Sequence, residues 1–153
     1  MEQLTIIQNS LRIGSLQHII PIVVEKIITI WSINYSSNKL NKAQQQKFIH
    51  FFACFISLCV ICFHLYRICF DGYNFKTDLP LYLCSLMTLL IPILTYYRKY
   101  WMFEILVFLV IGGTLQAVIT PDITTGFPSF DYFRYCIAHL GLLIIIFYFI
   151  FVF

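Results

Sequence analysis

Four stretches of this chain contain no Asp, Glu, Lys or Arg: residues 48–66, 79–97, 105–121 and 135–153. At ~1.5 Å of rise per residue, each is about long enough to carry a helix across the ~30 Å hydrocarbon layer of a bilayer. Composition agrees. Of the 153 residues, 60% are hydrophobic and 11% charged, against ~25% charged in soluble domains. The chain lacks the polar side chains to cover a water-facing surface. That excludes a soluble globular domain, a disordered chain and a nucleic-acid binder. It leaves an all-α, polytopic helical membrane protein with about five spans.

The spans are expected at about residues 11–35, 48–70, 79–97, 101–119 and 132–153, in a single integral membrane domain. The first is the weakest, because Glu25 and Lys26 interrupt it. Adjacent residues on a helix do not face each other, so these two do not read as a simple ion pair. Either one points into a bundle interior or the span is shifted. The start does not resemble a signal peptide, since no small-residue cleavage site follows a basic segment. The linking segments are a polar loop over 36–47, a turn over 71–78, the basic pair Arg98-Lys99, and a loop over 120–131.

Lys and Arg set the expected orientation. Lys39, Lys42, Lys47, Arg98 and Lys99 fall on one side. The opposite loops carry Lys76, with Arg67 and Arg134 just inside the adjoining helices. The positive-inside rule puts the first set in the cytoplasm and the N-terminus outside. Arg12 opposes this weakly.

Polar groups inside spans are functional candidates by default. Cys84 lies about one turn into its span, after Pro80. His139 lies ~10 Å into the last span, with Tyr135 and Cys136 on the same face at i−4 and i−3. Both helices enter from the outer side, so the two side chains sit at nearly one depth. A thiol activated by an imidazole is a nucleophile for acyl transfer. The bland alternative is that both only pack. Both are expected to face a common interior cavity opening toward the outer leaflet, with Gln116 and Asp122 nearby. Asp122 can orient an imidazole or bind a headgroup, or else serve as a turn or cap residue. His18 enters from the same side and can join the site, or be a plain interfacial histidine.

Other features read as structural. Cys54, Cys59, Cys62 and Cys69 share one apolar helix, and Cys59-x-x-Cys62 has no second pair to complete a zinc site. Packing is their expected role. Gly113 and Ala117, with Gly112, suit close helix contact. Glu104 suits a helix start or an interior polar contact. Tyr96, Tyr97, Tyr100 and Trp101 form an interfacial aromatic belt. No metal, cofactor or disulfide is expected.

The ordered series Leu79-Pro80-Leu81-Tyr82-Leu83-Cys84-Ser85, Phe103-Glu104-Ile105, Gly112-Gly113-Thr114-Leu115-Gln116-Ala117, Thr120-Pro121-Asp122, Phe127-Pro128, Tyr132-Phe133 and His139 resembles the YwaF-like bacterial integral membrane proteins. These are similar to the eukaryotic transmembrane protein 164 family. The resemblance covers roughly residues 14–145. It implies a helical membrane fold of about seven spans, so this chain is expected to be short by about two helices. It also implies a phospholipid acyltransferase in which Cys84 accepts the acyl group and His139 is its base. Position 82 is Tyr where relatives often have His.

The expected function is therefore a lipid transacylase in a bacterial plasma membrane, its partners being membrane phospholipids and the bilayer itself. The alternatives are a hydrolase using the same pair and a non-catalytic membrane protein: a small carrier, a ligand-binding module or an assembly subunit.

Overall fold

The computed structural model of the chain describes residues 11–70, 83–121, 123 and 126–153. They form five helices: α1 (Leu16–Lys39), α2 (Lys42–Phe70), α3 (Leu83–Tyr97), α4 (Tyr100–Ile119) and α5 (Phe130–Val152). There is no strand among the described residues. Every helix except α3 is long and apolar enough to cross a membrane. Within α4, Val110–Leu115 widen into a π-helical segment.

Helix α1 is built inside out by the standards of a water-soluble protein. Its buried residues are Glu25, Thr29, Ser32 and Ser36, while Ile20, Val23, Ile27 and Trp31 are exposed. The buried set recurs at helical spacing, so it forms one polar stripe facing the bundle. Lipid tails are as apolar as Ile, so in a bilayer the apolar face gains nothing by turning inward. The polar stripe gains hydrogen-bond partners there.

Glu25 and Lys26 correct an expectation. Glu25 does point into the bundle, being 2% exposed, and Thr29 Oγ1 donates to its Oε1 at 2.9 Å. Yet Lys26 Nζ lies 3.3 Å from Glu25 Oε2. The four-carbon stem of the lysine lets it reach back toward its neighbour while its ammonium rests over the Phe147 ring, 4.4 Å away. The contact is an ion pair without hydrogen-bond geometry.

The expected loop over 36–47 is also corrected. Only Leu40 and Asn41 separate α1 from α2. Asn41 Oδ1 accepts from the Gln44 backbone N at 2.9 Å, and Gln44 Oε1 accepts from the Asn41 N at 3.0 Å. This reciprocal capping box starts α2 well before the apolar run begins. The Ser36 and Tyr148 hydroxyls bond each other, and Gln45 Nε2 donates to the Ser36 carbonyl at 3.1 Å. The polar residues there stabilise helix ends rather than a loop.

Helix α5 is the centre of the bundle. Leu142, Leu143, Ile145, Ile146 and Tyr148 are almost fully buried. It packs against α1, α2, α3 and the π segment of α4. Gly141 permits the closest approach: a Cβ there would meet Ile56 Cδ1 at 2.6 Å. On α2, Cys54, Cys62 and Cys69 face outward. Packing inside the bundle, expected of them from the sequence, is therefore not what these three do. Tyr96, Tyr97, Tyr100 and Trp101 are all exposed, at one end of the molecule.

Candidate functional site

Of the residues singled out in the sequence, Cys84, His18 and Tyr135 reach the last two turns of α4. A helix end leaves carbonyl groups without intrahelical partners. Here two are met by side chains from other helices and a third by Thr120, which follows the helix. The Tyr135 hydroxyl, from α5, donates to the Ala117 carbonyl. His18 Nε2, from α1, donates to the Val118 carbonyl at 2.7 Å. The Gln116 carbonyl accepts from Thr120 N at 2.9 Å and from Thr120 Oγ1 at 3.0 Å. Nearby, the Tyr132 hydroxyl donates to the Gln17 carbonyl at 2.6 Å. Three helices are stitched together at this end.

His139 is half-buried in the third turn of α5. Phe130, not Tyr132, starts that helix, because Ser129 Oγ caps it by accepting from Tyr132 N at 3.2 Å. His139 therefore lies about 13 Å along the helix, deeper than the sequence indicates. Its Nδ1 lies 2.9 Å from the Tyr135 carbonyl oxygen. A carbonyl only accepts, so Nδ1 carries the hydrogen and Nε2 of the neutral ring carries the lone pair. The Tyr135 ring lies against the imidazole, with centroids 4.2 Å apart.

Cys84 sits in the first described turn of α3, partly buried. Its Sγ lies 3.5 Å from Thr114 Oγ1 in the π segment. Gly113, beside Thr114, leaves room for Leu83, whose Cδ2 would touch a Cβ there at 3.5 Å. No hydrogen bond joins Cys84 to His139 among the described residues. Tyr135 lies against His139 with its ring tilted, and its hydroxyl reaches α4 at Ala117. Thr114 and Ala117 are three residues apart, so Cys84 and Tyr135 meet α4 within about one turn of each other.

The remaining candidates separate. His18 accepts from the Gly14 backbone N through Nδ1 at 3.1 Å and donates through Nε2 to Val118. Both ring nitrogens are thus engaged by backbone. Gln116 is exposed, and its Nε2 donates to Thr120 Oγ1 at 3.2 Å. Asp122 lies outside the described residues, as does Tyr82. Sequence reading missed Thr114; its one signal is a hydroxyl beside paired glycines in a span. It also missed a charged cluster at the same end. Asp131 Oδ1 lies 3.5 Å from Arg134 Nη2 and 3.7 Å from Arg67 Nη1.

Two cavities lie elsewhere on α4. One, of about 240 Å³, lies between Arg98, Tyr100, Phe103 and Phe153 at the opposite end. The other, of about 530 Å³, runs along Glu104, Val107 and Gly112. Neither is lined by Cys84 or His139.

Residues 13–153 match the model of the TMEM164 family. No curated protein and no solved structure matches the chain.

Proposed function

The chain belongs to the TMEM164 family of integral membrane proteins, and we propose that it is a phospholipid transacylase using Cys84 and His139. The observation that carries this reading is the tautomer of His139. The bond from Nδ1 to the Tyr135 carbonyl leaves Nε2 free to take a proton.

In this mechanism the Cys84 thiol gives its proton to His139 Nε2 and attacks the ester carbonyl of a donor phospholipid. The C–S bond forms and the ester C–O bond breaks. The leaving lysolipid oxygen receives the proton from His139. A second lysolipid hydroxyl then attacks the thioester, its proton passes to Nε2, and Cys84 is released as the thiol. Catalytic hydrogen bonds tighten on substrate entry. Here the thiol must turn from Thr114, its partner in the resting protein, toward Nε2.

The orientation in this reading follows the basic residues at the helix ends. Lys39, Lys42, Lys47, Arg98 and Lys99 face the cytoplasm. The N-terminal end and the Cys84–His139 region then lie toward the outer face of a bacterial plasma membrane.

One observation favours a second, non-catalytic reading. Tyr135 and His18 both act as tertiary caps for α4, and Cys84 is bonded to Thr114 rather than His139. Polar groups arranged this way also serve as helix-to-helix contacts in a binding or assembly module. Labelling separates the two. Purified protein incubated with acyl-labelled phospholipid is expected to form a hydroxylamine-sensitive acyl-protein. Labelling of Cys84→Ala equal to wild type removes the transacylase reading.

A further inference from the structure

We propose that the cavity at the Arg98–Lys99 end binds an anionic phospholipid, with an acyl chain inside and the headgroup phosphate on the two cations. The site is remote from Cys84 and His139 and does not depend on their chemistry.

The walls are apolar: Leu94, Phe103, Leu106, Phe149 and Phe153. Such walls favour an apolar guest. About 240 Å³ accommodates part of an acyl chain. The rest of the lipid must extend along α4 and out through the mouth.

The mouth carries Arg98 and Lys99. Neither has a carboxylate partner among the described residues. Glu104, the nearest acidic residue along α4, lines the neighbouring cavity and pairs with neither. Arg98 is instead held by neutral groups. Its Nη1 donates to Gln46 Oε1 at 3.2 Å, and its guanidinium lies 3.7 Å from the Phe153 ring centroid. Arg98 is exposed at this end, so its guanidinium is open to a headgroup, and phosphate oxygens match its fork.

Backbone conformation adds an independent point. Arg98 has φ 49°, in the left-handed region that favours glycine. Glycine would relieve the backbone there but present no cation. The flanking Tyr96, Tyr97, Tyr100 and Trp101 are exposed, as side chains at headgroup depth are. Phosphate and chain thus have receptors at the depths where a bilayer lipid carries them.

The test is lipid retention by the full chain purified in an uncharged detergent, read by native mass spectrometry and by the shift in Tm. The probes are phosphatidylglycerol, phosphatidylcholine and diacylglycerol. Phosphatidylglycerol is expected to be retained and to raise the Tm most. Two basic residues at a membrane surface correspond to a preference of roughly thirtyfold over diacylglycerol. The variant R98G/K99Q removes both cations while relieving the positive φ, so it is expected to fold and to lose that preference. Its Tm without lipid reports folding directly. A second variant, Leu106→Trp, fills the cavity and is expected to weaken phosphatidylglycerol and phosphatidylcholine alike. Equal retention of diacylglycerol and phosphatidylglycerol by wild type overturns the proposal and makes the cavity an apolar docking face. An unchanged preference in the folded R98G/K99Q overturns it as well.

Discussion

His139 and Tyr135 are joined twice on one face of α5: Nδ1 of the imidazole donates to the Tyr135 carbonyl at 2.9 Å, and the two rings meet with centroids 4.2 Å apart. The backbone bond selects the tautomer and the ring contact restrains the imidazole. If Nε2 is the base of an acyl transfer, His139→Gln keeps a polar side chain of similar reach but removes the proton acceptor. The acyl-labelling rate is then expected to fall by about 10²–10⁴, with little change in Tm. Labelling at the wild-type rate excludes the imidazole as base.

Tyr135→Phe tests the structural half of the same residue. The ring stays against His139, but the Ala117 carbonyl loses its donor. A loss of about 1 kcal/mol of stability is expected, seen as a lower Tm in detergent. His18→Leu removes the separate cap on Val118. Because the two caps act on adjacent carbonyls of one helix end, the losses are expected to couple rather than add, by about 0.5 kcal/mol or more.

Lys26→Leu removes the one cation beside a buried carboxylate. Lys26 is about half exposed and Glu25 is buried, so the loss should fall between ~1 kcal/mol for an exposed pair and ~3 kcal/mol for a buried one. Adding Glu25→Gln should recover most of it, since no uncompensated charge is then left. Chemical or thermal unfolding of the single and double variants checks this. Failure of the second substitution to restore stability shows that Lys26 acts by packing on Phe147.

Gly141→Ala is expected to destabilise the bundle by roughly 1–3 kcal/mol through overpacking. The new Cβ meets Ile56 Cδ1 at 2.6 Å. Ile56→Val deletes that methyl. The double variant should therefore be more stable than the sum of the single losses predicts, a coupling of at least ~0.5 kcal/mol. Simple additivity of the two would place the α2–α5 contact elsewhere.

The membrane helices are legible in the sequence because charge is so costly in hydrocarbon that its absence marks each crossing. Boundaries are less legible. The polar residues 36–47 read as loop, yet Asn41 and Gln44 cap each other and keep that region helical. The signature was present as Asn-x-x-Gln, but polarity outweighed it. At the candidate site, the pairing of Tyr135 with His139 follows from i−4 spacing. The contacts of Tyr135 with Ala117 and of His18 with Val118 do not follow from any spacing. They depend on which helices are neighbours, and periodicity says which face is buried but not against what. The π segment, which contains Gly112 and Gly113, is illegible because no residue spacing marks it.

The polar stripe of α1 has a consequence in time. Ser36 finds its hydroxyl partner in Tyr148, 112 residues later in the chain. At synthesis rates of ~5–20 residues per second, the partner emerges roughly 6–22 s after Ser36 does. During that interval the first helix is the least apolar of the four long ones, with mean hydropathy 1.4 against 2.5 for α5. It has Glu25, Thr29, Ser32 and Ser36 to shelter and no α5 to shelter them. Helix α1 thus depends on α5, and its hold in the membrane becomes secure only when that later helix arrives.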